Sequence, residues 1–293
     1  MLDPRTMASI GDLELVARLT VDGTISGLHR SPFHGYSAEF TQYRHYRPGD
    51  DLKYVDWKLL ARTDRIYTKQ YRETTNLPAV LAFDASASMG FRGDGGASKL
   101  EYARVLSAAL AFLLSGQGDE VGLTAFDDGV RVHLPVRTGT PHLRRVLAAL
   151  AGIRPSGRTA AASALRRTID LLQRRSLLFV FSDLYDENDE VSAELRRAAR
   201  SGHEVGVFHV LTPEEIAFPY RGDIEFEDLE SGQVVLTSAT GLAEEYAERM
   251  SAFREQWRSR CAAEGIDYTP ASTDLPPDRV LRTYLLKRPP AAR

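Results

Sequence analysis

The sequence predicts an α/β domain, a mostly parallel sheet with helices on both faces, preceded by a segment of different texture. Three observations predict it. From Leu77 onward, short continuous apolar runs alternate with stretches of helical period, the pattern of strands buried on both faces between covering helices. Two of those runs end in aspartate, at Asp84 and at Asp183. From about Leu13 to Arg72 the chain is instead rich in Tyr, Arg, His and Gly, with one short periodic stretch, Leu13 to Leu19. The expected division is residues 1–76 as an N-terminal segment and 77–293 as the α/β domain.

Each element has its own signal. Ala79 to Phe83 is an unbroken apolar run and reads as a buried strand. Tyr102, Leu106, Leu110 and Leu113 follow at helical spacing. Val121 to Phe126 is a strand, Asp127-Asp128-Gly129 a turn, and Val130 to Val136 the alternating partner of a hairpin. Pro141 opens a short helix ending near Leu150, and a second helix runs from about Ala160 to Leu172. Leu177 to Phe181 is a buried strand, Glu190 to Arg200 a helix stopped by Gly202, and Val205 to Leu211 a strand. A long helix, Gly241 to Ala263, carries Leu242, Tyr246, Met250, Phe253, Trp257 and Cys261 on one face. Ile266 to Thr269 is a last strand, and a terminal helix follows from about Pro277 to Leu286.

Composition narrows the function. The 293 residues suffice for one large domain with an appendage, and the apolar share of 43% is ordinary for a packed core. A net charge of −3 leaves no broad basic face for nucleic acid. No apolar run is long enough to span a membrane, and Met1 to Ile10 lacks the pattern of a signal peptide. The single cysteine, Cys261, has no internal partner, so a cytoplasmic protein is expected.

In an open parallel sheet, ligands sit beyond the carboxyl ends of the strands where strand order reverses. Three loops are expected to converge there: Asp84-Ala85-Ser86-Ala87-Ser88, Pro155-Ser156-Gly157-Arg158-Thr159, and Ser182-Asp183. Their carboxylate and hydroxyl oxygens suit a hard divalent cation, Mg²⁺ or Mn²⁺, and thiolate and imidazole are absent. The set leaves coordination positions for water or for a carboxylate from outside. The alternative is that Asp84 and Asp183 only cap the helices after them.

Asp84-x-Ser86-x-Ser88, then Thr159, then Asp183, resembles the metal-ion-dependent adhesion site of von Willebrand factor A domains. The segment before it carries a second resemblance. Gly35-Tyr36-Ser37-Ala38-Glu39-Phe40, Arg44 to Asp51, Val55-Asp56-Trp57 and Ala61-Arg62 are similar to the signature of domain-of-unknown-function family 58. The resemblances imply a von Willebrand factor A-like domain with a metal site at Asp84, Ser86, Ser88, Thr159 and Asp183. They also imply a protein-binding role beside a MoxR-type AAA+ ATPase and a protein cargo. Many relatives carry transmembrane segments before the signature; none is apparent here. Two readings of the aromatic and arginine-rich segment stay open. Tyr43, Tyr46, Tyr54, Trp57 and Tyr67 either bury their rings in a small subdomain or form a docking surface.

Other signals weigh less. The pairs Arg166-Arg167, Arg174-Arg175 and Arg196-Arg197 read as solvated helix faces with acids nearby. The two Arg-Gly-Asp tripeptides, at 92–94 and 221–223, read as turns. There is no phosphate-binding GxxxxGK[ST] loop, no GxSxG elbow and no zinc spacing. Thr212 to Gln233 is an acidic insertion around a hairpin. The competing enzyme reading is a metal-dependent phosphohydrolase with Asp84 as nucleophile. It lacks an acid two residues on, where Ser86 stands, and a lysine just before the last acidic motif.

Overall fold

The structure, a computed structural model, describes residues 10–26, 39–47, 55–63, 65–72, 77–94, 96–157, 160–185, 188–230 and 232–287. Its helices are α1 (Ile10–Ser26), α2 (Trp57–Thr63), α3 (Lys99–Gly116), α4 (Thr140–Gly152), α5 (Ala161–Asp170), α6 (Glu190–Arg200), α7 (Pro213–Ala217), α8 (Ala239–Ala263) and α9 (Pro277–Lys287). Its strands are β1 (Glu39–His45), β2 (Tyr67–Arg72), β3 (Ala79–Asp84), β4 (Val121–Phe126), β5 (Val130–Arg137), β6 (Leu177–Ser182), β7 (Glu204–Leu211), β8 (Asp223–Glu227), β9 (Val234–Ser238) and β10 (Asp267–Ser272).

The expected mostly parallel sheet is present, in the order β10-β7-β6-β3-β4-β5. Every neighbouring pair runs parallel except β4 and β5, which form the antiparallel edge. Strands β3, β4 and β6 are buried at every residue, as continuous apolar runs require, whereas β5 alternates between half-buried and exposed. Leu81 and Phe83 of β3 face a core built with α1, α3, α4 and α9. Val80 and Ala82 face a core built with α5, α6 and the second half of α8. The period of two in a strand makes that division.

A unit boundary falls at residue 76, as expected, but the start of the chain groups with the main body. The short periodic stretch at Leu13 belongs to a 17-residue helix, α1. Leu13, Ala17 and Val21 recur every four residues and lie in the core beside α3, so α1 groups with the α/β body. Residues His34–Asn76 form the second unit, in which β1 and β2 pair antiparallel. Asp56 organises that unit. Its Oδ1 accepts from the backbone N–H of Lys58 and Leu59, both at 3.0 Å, and so caps α2, while its Oδ2 accepts from the Tyr43 hydroxyl. The reading that these aromatics bury their rings does not hold for Trp57, 60% exposed, or Tyr43, 43% exposed. Tyr54 lies outside the described residues.

The long C-terminal helix departs from its expected single buried face. Met250, Trp257 and Cys261 are buried, but Leu242 is exposed, because the first half of α8 packs with the hairpin β8–β9 instead of the sheet. Cys261 is a buried thiol, pushed up to about 12 by its burial. Arg166, Arg174, Arg175 and Arg197 all pair with acids, as a solvated basic face would. Among the described residues no helix is long and apolar enough to cross a membrane.

One position tests the edge of the sheet. Gly122 lies at a bulge between β4 and β5, where a methyl group would stand 2.8 Å from the Leu134 carbonyl oxygen and 3.0 Å from the Val136 nitrogen. Backbone atoms in a paired strand cannot move aside as a side chain can. Gly122→Ala is expected to cost about 1–3 kcal/mol in urea denaturation. An unchanged midpoint would show the edge to be pliable.

Candidate functional site

The chain runs from β3 outward through β4 to β5, then returns to the other side of β3 to form β6. Strand order therefore reverses between β3 and β6, and α3 and α6 cover opposite faces there. Parallel register pairs Phe83 with Phe181. The next residues, Asp84 and Ser182, thus meet on one face, and the Ser182 hydroxyl donates to Asp84 Oδ2 at 2.6 Å. Asp183 follows directly.

The segment after β3 is fixed on three sides. The Ala85 N–H donates to the Phe126 carbonyl, the Ser156 N–H to the Ala85 carbonyl and the Ala87 N–H to the Gly157 carbonyl. Asp84 Oδ1 accepts from the Ser86 N–H at 2.9 Å, turning the chain into a short 3-10 turn, Ala87–Gly90. Ser86 and Ser88 come together, with Oγ atoms 3.1 Å apart. Thr159 lies outside the described residues. Its neighbours are placed: Gly157 adopts φ +69°, and the Ala160 N–H donates to the Asp127 carbonyl at 2.7 Å. The structure thus brings Asp84, Ser86, Ser88 and the Ser182–Asp183 strand end together, with the Pro155–Gly157 loop beside them. The helix-capping alternative fails for both aspartates. Ser98 caps α3, and Asp189 occupies the cap position of α6.

Burial, with the nearby charge of Asp183, pushes the Asp84 carboxyl up to about 7, against the hydrogen bonds from Ser182 and Ser86 that favour its charge. Asp84 is thus a buried carboxylate short of positive charge.

Lys99 supplies positive charge to its neighbour. Its ammonium group, 1% exposed, donates to Asp183 Oδ2 at 2.7 Å and to Glu215 Oε1 at 2.6 Å. Burial would lower its pKa, but Asp183 and Glu215 outweigh burial and hold it above the ordinary value. Sequence reasoning missed this residue, looking for a lysine near the acidic motif and not on another element. A signal existed: Lys99 opens α3 directly after the N-cap Ser98, inside the Ser98–Glu101 capping box, where the helix dipole disfavours a cation. A lysine there needs carboxylates nearby.

Four further residues were not singled out. Ser182 ends β6, donates to Asp84 and accepts from the Leu184 N–H. His209 on β7 is fully buried and neutral, its pKa pushed down to about 4 by that burial. Its Nε2 donates to the Asp183 carbonyl at 2.9 Å, and its Nδ1 accepts from the Tyr268 hydroxyl. That contact, with Leu184 at φ +58°, shapes the backbone that presents Asp183. Asp127 directly follows β4, one residue beyond the level of Asp84 on β3, so the same rule would have found it. Its Oδ2 accepts from the Ser156 hydroxyl at 3.2 Å and pairs with Arg131, while Oδ1 is buried without a partner. Arg104, reaching the Leu150 and Ile153 carbonyls at 2.9 Å each, fixes the chain entering the same loop.

Among the described residues no three His, Cys, Asp or Glu side chains converge to hold a metal. The donor set is instead two carboxylates with serine hydroxyls, all hard oxygens. Their chemistry fits Mg²⁺ or Mn²⁺, since a buried carboxyl whose charge is disfavoured gains most from a cation.

Of the two Arg-Gly-Asp tripeptides, expected as turns, the first lies at a turn after an isolated bridge at Arg92 and the second runs into a strand at Asp223. Arg92 pairs with Glu101, and Gly222, at φ +76°, leads into β8.

Comparison with known proteins places the chain. It is 32% identical over 236 residues to the uncharacterized proteins Rv1480 of Mycobacterium tuberculosis (strain ATCC 25618 / H37Rv) and Mb1516 of Mycobacterium bovis, a match covering 79% of this chain and 73% of each relative. Among solved structures it is similar to a conserved hypothetical protein, BatB, from Bacteroides thetaiotaomicron, at TM-score 0.49 and 21% identity, over 72% of this chain and 98% of that one. It is also similar to the SpRpn10 VWA domain, at TM-score 0.40 and 12% identity, over 70% and 94%. The family model described as protein of unknown function DUF58 matches residues 42–256, and the chain belongs to that family.

Proposed function

We propose that the chain is a divalent-cation-dependent protein-binding module and not an enzyme, working in the cytoplasm with a MoxR-type AAA+ ATPase on a protein cargo. Asp84, Ser86 and Ser88 would hold Mg²⁺ or Mn²⁺, with Thr159 and Asp183 completing the set. The cation would supply a positive centre that an acidic side chain of the partner can join. The observation that carries this reading is the buried Asp84 carboxyl at the switch point, beside Asp183 and the paired hydroxyls of Ser86 and Ser88. This chain's own residues do the positioning. Ser182 and the Ser86 N–H orient Asp84, and His209 fixes the Asp183 backbone. Lys99 holds Asp183 Oδ2, so Asp183 contributes chiefly its charge.

Asp84→Ala and Ser86→Ala are expected to leave the far-UV circular dichroism unchanged. Each should weaken binding of the candidate ATPase or its cargo at least tenfold in Mg²⁺, about 1.4 kcal/mol. Chelator should weaken wild type equally, because cation and partner favour each other's binding. Calorimetric titration of wild type and both variants reads this. Equal affinity in all conditions would overturn the reading and make the Trp57 unit the leading surface.

Lys99 beside Asp183 favours one second reading, the phosphohydrolase with Asp84 as nucleophile. Against it, Ser86 has no useful acidity where an acid is wanted, and Lys99 is buried between two carboxylates. Hydrolysis of p-nitrophenyl phosphate, lost in Asp84→Asn, would establish it.

A further inference from the structure

Behind Lys99 the body opens into a cavity of about 470 Å³. Four of its rings pack as one cluster. Phe218 stacks on Tyr246 with centroids 4.4 Å apart and on Phe226 at 5.7 Å, and Tyr220 meets both phenylalanines edge-on. Phe218 holds its place with a left-handed backbone, φ +46°, at the end of α7. That is a strained conformation for a bulky residue, and it directs the chain into the hairpin β8–β9.

The charges lining the cavity are unbalanced. Glu214, Glu215 and Glu245 face it against one cation, Arg249, which pairs with Glu245. Lys99 lies behind Glu215 and is shared with Asp183. Glu214 is only half satisfied: Oε1 accepts from the Asp94 N–H at 2.9 Å, but Oε2, buried against Gly93, accepts nothing. Ring faces carry negative potential, and carboxylates add to it. Such a cavity favours an organic cation, above all a guanidinium, which stacks and donates at once. It is larger than one basic side chain fills. Its rim carries exposed apolar side chains: Val235 on β9 and Leu242 on α8 are 57% and 38% exposed.

We propose that this cavity is a docking site for a protein segment carrying an arginine next to an apolar residue. The guanidinium enters between the rings toward Glu214 and Glu245, and the apolar neighbour covers Val235 and Leu242. Arg249 acts as a resident competitor at the rim. None of Asp84, Ser86, Ser88 and Asp183 lines the cavity, but Lys99 links Glu215 to Asp183, so the test runs in chelator to keep the strand-end site constant.

Three blocked peptides serve as probes: acetyl-Leu-Arg-Leu-amide, the same peptide with uncharged citrulline in place of arginine, and the same with glutamate. Binding is followed by calorimetry and by the tyrosine and phenylalanine NMR resonances of the full chain. The arginine peptide should bind at least tenfold more tightly than the citrulline peptide, and the glutamate peptide not measurably. Glu214→Gln with Glu245→Gln should erase the preference, Tyr246→Leu should weaken binding, and Arg249→Gln should strengthen it. Equal affinity for the arginine and citrulline peptides overturns the proposal, and that comparison needs only wild-type protein. Arginine amide alone binding as tightly as the tripeptide overturns it in favour of a small free cation. Self-association of the chain that the arginine peptide does not disrupt, with no shift of the Tyr246 signals, assigns the surface to a second copy and overturns it too.

Discussion

Asp84→Asn is expected to make the chain more stable in chelator and to abolish its response to Mg²⁺. The wild-type carboxyl, held near 7 instead of its ordinary 3.8, burdens the folded state by at most roughly 4 kcal/mol once it is fully charged. Burial is the larger cause and repulsion from Asp183 the second. Asparagine keeps the shape without the charge. Its carbonyl oxygen accepts from the Ser86 N–H, and the Ser182 hydroxyl turns to accept from its amide. Because the amide also loses water on burial, a gain of about 1–3 kcal/mol is expected above pH 7.

The pH dependence has a definite sign. A carboxyl whose pKa is raised by folding binds its proton more tightly in the folded chain than in the unfolded one. Stability therefore falls as pH rises from about 4 to about 7, and the Asp84 contribution levels off above that. Asp183 and Lys99 are the charged groups facing this one, and both remain in the variant. Urea denaturation in chelator at pH 5 and pH 8 should show wild type and Asp84→Asn converging at pH 5 and the variant ahead at pH 8. Added Mg²⁺ should stabilise only wild type. A variant less stable than wild type at pH 8 in chelator would mean that the Asp84 charge is already compensated within the fold.

Lys99→Met is expected to have the largest destabilising effect of any single change near the site. The lysine is 1% exposed and bonded to two carboxylates. Methionine fills much of its volume but leaves Asp183 and Glu215 with no buried cation. Removing one partner of a buried pair costs about 3–5 kcal/mol, because the charge left behind is out of water and unmatched. Glu215 also closes the capping box of α7 with Thr212, so the loss should spread into that helix. Mg²⁺ should recover part of the stability, since the strand ends then carry more negative charge. Chemical denaturation with and without Mg²⁺ measures both effects. If Lys99→Met is neutral in chelator, Asp183 and Glu215 are not held as an ion triad. If Mg²⁺ gives no recovery, the cation does not sit within electrostatic reach of Asp183.

Much of the sheet was legible from residue pattern alone. Val121–Phe126 and Glu190–Arg200 are bounded as the pattern placed them, and the apolar runs at Ala79, Leu177 and Val205 are the central strands. A strand buried on both faces must be apolar throughout, and one at an edge must alternate, so burial writes itself into local sequence. The strand-end rule likewise pointed to Asp84, Ser86, Ser88 and Asp183, which lie together where strand order reverses. Thr159, expected from the resemblance to the adhesion-site pattern, lies outside the described residues.

Tertiary structure decided what depends on distant residues meeting. Lys99 and Asp183 are 84 positions apart, and no local pattern pairs them; only the packing of α3 beside β6 does. The helix α1 looked like a short periodic stretch because its stripe is narrow, and its membership in the main body comes from the faces of α3 and α9. The stripe on α8 was read as one face, yet it serves the sheet with Trp257 and Cys261 and the aromatic cluster with Tyr246. Periodicity reports that a side chain leaves water, not which surface receives it. The partner of a buried face, and the counter-ion of a buried charge, are set by three-dimensional packing.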